Sequence, residues 1–173
     1  MSLSKISIGD EAPDIVNAVI EIPKNSQNKY EYDEETGVVK LDRVLFSPMH
    51  YPADYGFIPE TRSEDGDRLD ILVLGSDPVF TSCVVRAKPI GILKMIDSGE
   101  EDFKIVGVQA DNPRFENIED VKDIHGHSLK EIAHFFEAYK ELEGKKVEIQ
   151  GWGNAMEAKK SIEEARKREV NKN

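Results

Sequence analysis

Cysteine is almost missing from this chain of 173 residues, and the single Cys83 excludes an internal disulfide. Its place in the run Cys83-Val84-Val85 reads as that of a small buried hydrophobe, compatible with a reducing compartment. Long apolar runs are missing too. No stretch reaches spanning length, and Met1-Ser2-Leu3-Ser4-Lys5 leads into polar sequence without a signal-peptide core, so a cytoplasmic protein with no membrane partner is expected. Positive charge is scarce: 23 Lys and Arg against 34 Asp and Glu leave a net charge of -11, which speaks against nucleic acid as a partner. Repeats, low-complexity tracts and linkers are absent, and residues 1–173 read as one catalytic domain with one core.

What is present is an ordinary globular mixture, 39% hydrophobic and 33% charged, which rules out wholesale disorder. Up to about Ala110 apolar and polar residues alternate at period two between turn residues, the mark of short strands. Strands are expected over Asn17 to Ile22, Val38 to Phe46, Asp70 to Leu74, Cys83 to Ile96 with breaks at Pro89 and Gly91, and Phe103 to Gln109, with a late one at Val147 to Trp152. Helices follow. Ser128 and Glu131 form a capping box ahead of Leu129, Ile132, Ala133 and Phe136, a helix that Gly144 ends. A second helix begins at Asn154 with Glu157 three residues on, carries Ala155, Ala158, Ile162 and Ala165 on one stripe, and ends in a charged, fraying tail. Many short strands with helices gathered toward the C-terminus predict a mainly β, α+β fold: a small β-barrel with packed helices.

Chemistry concentrates in Asp65-Gly66-Asp67-Arg68-Leu69-Asp70-Ile71, where three carboxylates crowd one turn. Two carboxylates about 4 Å apart repel by roughly 4 kcal/mol at an effective dielectric near 20. A divalent cation removes that penalty. Taken alone, an exposed acidic turn is the commoner explanation of such a stretch. An EF-hand is excluded, because Asp70 and Ser76 stand where its loop needs Gly and Glu. A second acidic group, Asp97-Ser98-Gly99-Glu100-Glu101-Asp102, reads as a hairpin turn, after which alternation sets Asp102 and Lys104 on one face. Hard oxygen donors without a Cys or His cluster select Mg2+ or Mn2+ over zinc. His125-Gly126-His127 is read as a polar loop, and His50 and His134 as structural.

Facing the acids, phosphate chemistry needs cations and hydroxyls. Lys29-Tyr30-Glu31, Arg43, Tyr51-Pro52-Ala53-Asp54-Tyr55-Gly56 and Tyr139-Lys140 supply them, although each alone has a commoner explanation in surface ion pairs, core packing or an outer helix face.

Taken in order, these motifs closely resemble the soluble family I inorganic pyrophosphatases of prokaryotic type. Val19 to Pro23, Lys29 to Glu31, Asp42-Arg43, Tyr51 to Gly56, Asp65 to Ile71, Gly91 to Met95 leading to Asp97, Asp102 with Lys104, and Ala133 to Lys140 carry the resemblance over nearly the whole chain. One departure is Arg68, where the family usually has Pro; this leaves every carboxylate in place but removes a fixed φ from the loop. The resemblance implies an OB-like five-stranded barrel, a homohexamer, and Mg-dependent hydrolysis of pyrophosphate, with Mn2+ or Zn2+ as substitute metals. It implies that Asp65, Asp70, Asp97 and Asp102 hold metals and that Asp67 is the general base. Lys29, Arg43, Tyr55, Lys104, Tyr139 and Lys140 would bind phosphoryl oxygens, with Glu21, Glu31 and Tyr51 also in the site. Three rival readings are an oligonucleotide-binding OB module, which needs exposed aromatics in a basic groove, a hydrolase of nucleotides or other phosphoanhydrides, and an inactive relative that retains the fold, against which the intact set of acids and bases speaks.

Overall fold

The computed structural model describes residues 3–172. In chain order come β1 (Val16–Ile22), β2 (Asn28–Asp33), β3 (Val38–Val44), β4 (Asp54–Phe57), β5 (Asp70–Leu74), β6 (Val84–Asp97), β7 (Glu100–Glu101), β8 (Lys104–Gln109), α1 (Gly126–Ala138), β9 (Val147–Asn154) and α2 (Ala155–Lys172). The main sheet runs β1-β4-β5-β8-β6, and β6 pairs back onto β1. That pairing closes five strands into a ring, the OB-like barrel, with β9 and the short β7 extending β6 outward and β2-β3 standing apart as a hairpin.

Three apolar clusters fill the described residues, the smallest formed by Val19, Tyr32 and Phe57. Leu72, Leu93 and Val106 pack with Phe135 and Phe136 of α1, and from the opposite face of the same strands Ile71, Ile92 and Ile105 pack with Ile20 and with α2. Strands with side chains buried on both faces read as apolar runs, which is why β5, β6 and β8 are the most hydrophobic segments. On α2 the stripe expected from sequence is the packed face, with Ala158, Ile162 and Ala165 fully buried.

Several boundaries differ from expectation for physical reasons. β2 and β4 were not foreseen: β2 is polar because its hairpin is half-solvated, and β4 is only four residues long. Pro89 and Gly91 do not break β6 but sit at a register shift against β8, a bulge that accommodates the proline. The first helix starts at Gly126, capped by the His125 ring, which accepts from the His127 N–H at 3.3 Å, so Ser128 and Glu131 form no cap. At α2 the reciprocal cap exists, with Asn154 Oδ1 accepting from the Glu157 N–H at 3.0 Å and Glu157 Oε2 from the Asn154 N–H at 2.9 Å. The helix runs to Lys172, and near its end Glu169 is paired with Arg62 at 2.6 Å. Cys83 is half-buried and lies just before β6 rather than in the core. His50 and His134 are exposed, so neither is a core histidine.

Gly56 is required by closure. A Cβ there would stand 1.9 Å from the Val19 carbonyl oxygen on β1, a backbone atom that cannot step aside. Gly56→Ala is therefore expected to cost about 3 kcal/mol or more, the upper end for overpacking. A thermal midpoint lowered by roughly 6 °C or more on a calorimetric scan checks this; an unchanged midpoint would mean that β1 and β4 can separate freely.

Candidate active site

Closure of the barrel gathers the chemistry at one mouth. β5 and β8 run parallel with Ile71 opposite Ile105, so the residues that open them, Asp70 and Lys104, lie side by side. Antiparallel β4 sets Phe57 opposite Asp70 and Tyr55 opposite Leu72. On β1 the register against β4 shifts between Ile20 and Ile22, and the extra residue is Glu21; such bulges re-aim a side chain. The β6–β7 turn brings Asp97 and Asp102 in, with Ser98 and Gly99 at positive φ (54° and 94°), and Tyr139 and Lys140 arrive just past α1. Both were expected on the helix, but Tyr139 closes it as the C-terminal cap residue.

One cleft of about 260 Å³ is lined by Glu21, Lys29, Tyr30, Glu31, Tyr55, Asp65, Asp67, Asp70, Asp97, Asp102, Lys104, Tyr139 and Lys140. Of the residues singled out from sequence, Arg43 and Tyr51 are not on its lining. Arg43 stands behind Lys29, opposite it in the hairpin register, and bonds Glu143 at 3.0 Å and Asp42 at 2.5 Å. Tyr51, 1% exposed, packs against Phe135 and Tyr55. Tyr30 and Asp42 were not assigned a role from sequence. The first lines the cleft, and the second takes Lys29 at 3.1 Å as well as Arg43, so one carboxylate braces two cations. Strand pairing of β2 with β3 makes that brace, which no local motif announces.

The charges are closely balanced. Lys104, 3% exposed, donates to Asp102 Oδ1 at 2.6 Å and to Asp70 Oδ2, and its ammonium lies 5.7 Å from the Tyr55 ring centroid. Burial works against its charge, but Asp70 and Asp102 outweigh burial and hold it protonated above its ordinary range. For Asp102 burial wins over Lys104 and the carboxyl is raised. Lys140 pairs with Asp97; burial pushes that carboxyl up, yet the Lys140 and Ser98 hydrogen bonds bring it below normal. Glu21 accepts the Tyr32 N–H at 2.6 Å, and burial nevertheless lifts it to about 8. Asp67 is exposed at the rim, and its carboxyl is raised, first by partial desolvation and then by the Asp65 and Asp70 charges.

The acidic loop is itself ordered. Asp65 Oδ1 accepts the Asp67 N–H at 2.9 Å across Gly66, whose φ is 92°, and the Ser63 N–H donates to the Asp67 carbonyl at 2.7 Å. At its base the Ile58 N–H donates to the Leu69 carbonyl at 2.9 Å, and the Leu69 N–H to the Thr61 hydroxyl at 3.0 Å.

The donor set suits a hard divalent cation: every acidic residue in the cleft offers carboxylate oxygens, and neither Cys nor His lines it. Among the described residues, no three acids or histidines enclose a single cation as arranged here. In this conformation the neutralising charges are the ammonium groups of Lys104 and Lys140. The histidines of His125-Gly126-His127 are exposed, and His127 stands 3.7 Å from Glu131, far in role from a metal centre.

An oligonucleotide module would present exposed rings. Here Tyr55 and Tyr139 are 9% and 4% exposed and pack against Phe135 and Phe136, so neither offers a base-stacking face within the cleft. No helix among the described residues is long and apolar enough to cross a membrane.

The family model for inorganic pyrophosphatase matches residues 18–169. An inorganic pyrophosphatase of Geobacillus stearothermophilus is 55% identical over 150 residues, 87% of this chain and 91% of that one. One from Sulfolobus acidocaldarius is 53% identical over 167 residues, 95% of this chain and 96% of its own. Among solved structures, the inorganic pyrophosphatase from Thermus thermophilus superposes with a TM-score of 0.95 at 43% identity, covering 98% of this chain and 99% of that one.

Proposed function

The chain belongs to the inorganic pyrophosphatase family, a family of enzymes that hydrolyse pyrophosphate, and on that premise we propose that this one works with Mg2+ and with Asp67 as general base. The observation that supports this most is the single cleft in which the aspartates face lysines and buried tyrosines. Asp65, Asp70, Asp97 and Asp102 would hold the metal. When bound, Mg2+ supplies positive charge to the phosphoryl oxygens and lowers the pKa of water toward neutrality.

The chain's own groups do the rest. Asp67 takes a proton from the attacking water, a role favoured by its place on the cleft lining between Asp65 and Asp70. Oxygen attacks one phosphorus opposite the bridging oxygen, the bridging P–O bond breaks, and the second phosphate leaves with the electron pair. Lys104, Lys140 and Lys29 balance the charge on the phosphoryl oxygens, the Tyr55 and Tyr139 hydroxyls orient them, and Arg43 supports Lys29 from behind through Asp42. Burial keeps both phenols protonated, so they act as donors. Glu21 and Glu31 stand at the outer part of the cleft and Tyr51 packs beneath Tyr55. The whole chain would act as one catalytic domain, as a cytoplasmic homohexamer; a monomeric mass in sedimentation would remove the assembly from the proposal.

Phosphate release from pyrophosphate, tripolyphosphate and ATP tests the reading. With Mg2+ the pyrophosphate rate is expected to exceed the ATP rate at least a hundredfold, to vanish in EDTA and to return with excess Mg2+. Ca2+ should support little turnover, because its looser coordination would misplace the nucleophile. Equal rates on ATP would favour a broader phosphoanhydride hydrolase, and turnover in EDTA would overturn the metal.

A further inference from the structure

The loop that carries Asp65 and Asp67 is held from two sides by residues outside the cleft. On one side α2 grips its beginning: the Arg62 N–H donates to the Ala165 carbonyl at 2.9 Å, Arg62 Nε bonds Glu169 at 2.6 Å, and Arg168 reaches Glu64 at 3.2 Å. The opposite side is the tip of the β2–β3 hairpin. There Glu34 accepts from Arg68 Nε and, at 3.2 Å, from Arg62 Nη2. Arg62 also returns to the loop, donating to the Gly66 carbonyl at 3.0 Å.

In these pairs Arg62 and Arg68 are the shielded partners, while Glu34 keeps 40% exposure and Arg168 and Glu64 keep 40% and 68%. The Arg68 and Arg62 side chains are 13% and 17% exposed, and the Arg68 guanidinium lies 5.5 Å from the centroid of the Phe57 ring, which is itself buried and stacked on Tyr32. Burial pushes the Glu34 carboxyl up, but the bonds and charges of Arg68 and Arg62 outweigh it and hold it below its ordinary value. Phe57 pairs with Asp70 across β4 and β5, so the same contact ends at a cleft carboxylate.

We propose that Arg68 is a positioning residue for the hydrolysis: together with Arg62 it ties the Asp65–Asp67 loop to the hairpin through Glu34, and so fixes Asp67 relative to Lys29 and Glu31 on the facing wall. Arg68 is not on the lining of that cleft but borders an adjoining pocket that shares Glu21, Glu31, Asp67 and Asp70 with it, and it reaches the reacting atoms only through the loop. The hydrogen-bonded tie restrains a segment whose φ at residue 68 is left free by arginine, and a planar fork over an aromatic face loses little freedom in doing so. The inference rests on Asp67 being the base.

A double-mutant cycle on Arg68→Met and Glu34→Gln in the full-length protein, read as kcat and KM for pyrophosphate at saturating Mg2+, tests it. Each single variant is expected to lower kcat about 5–20-fold with KM changed less than about twofold, since misplacing a reacting group weakens turnover more than binding. The double variant should be no worse than the worse single, because one tie is broken once. Arg68→Lys, which keeps the charge on Glu34, should return kcat to within about twofold of the parent. Metal-free thermal midpoints within about 3 °C of the parent exclude a merely structural loss. Unchanged kcat in both singles, or fully additive losses, overturns the tie. Asp67→Asn in the same assay separates the two levels. If it is crippled while Arg68→Met is not, the tie alone fails; if it is fully active, the base assignment fails and the proposal with it.

Discussion

Asp67→Asn is expected to lower kcat for pyrophosphate by roughly 10²–10⁴-fold, the range for losing a general base, while leaving the fold and most Mg2+ affinity intact. Asparagine keeps the size and a carbonyl oxygen, and the main-chain bonds that shape the loop, Asp67 N–H to Asp65 at 2.9 Å and Ser63 N–H to the Asp67 carbonyl at 2.7 Å, do not involve the Asp67 carboxylate. What disappears is the carboxylate that accepts a proton on the cleft lining beside Asp65 and Asp70. Asp70→Ala should differ in kind. It removes a carboxylate shared with Lys104 at the mouth of the barrel, so Mg2+ affinity falls along with turnover. Calorimetric Mg2+ titration beside phosphate release separates the two, and full activity in the Asp67 variant would overturn its role.

Lys104→Met should cost the metal-free protein roughly 3 kcal/mol, the lower end for leaving a buried charge pair uncompensated. The lower end applies because the Asp70 and Asp102 side chains keep 29% and 22% exposure, so water screens part of their repulsion. Methionine fills nearly the same space, which isolates the charge. With the ammonium gone, the two carboxylates face each other with only a dication able to neutralise them, so saturating Mg2+ should recover most of the thermal midpoint lost in its absence. Turnover should still fall about 10²–10³-fold, because a group aimed at developing phosphoryl charge is gone. Differential scanning with and without Mg2+ reads the first effect, and a midpoint unmoved by the substitution would contradict the account of Lys104 as the counter-charge.

These residues differ in how far their roles could be read before folding. Asp65, Asp67 and Asp70 stand in one short stretch, so their crowding was legible from spacing alone; Asp102 and Lys104 do meet as expected, but Asp102 lies between β7 and β8 rather than on a strand face. The stripe on α2 and its Asn154–Glu157 cap were legible for the same reason, because helical periodicity and capping are local. The α1 cap was misplaced to Ser128, since a histidine ring two residues from its N–H partner competes for the same turn and nothing in the spacing ranks them. Glu34 and Arg62 carried no local signal. Each acts through a partner far along the chain or across a hairpin.

Composition and short-range pattern alone determined that this chain would be a mainly β protein with late helices, and where its carboxylates would crowd. Only the folded chain decided that the crowding serves one cleft. The parallel pairing of β5 with β8 seats Lys104 beside Asp70, residues 34 positions apart, and the β1 bulge turns Glu21 toward them. The reason is physical: spacing along a chain fixes direction over a turn or a strand, whereas neutralising a buried charge depends on which side chains closure of the sheet brings within a hydrogen bond.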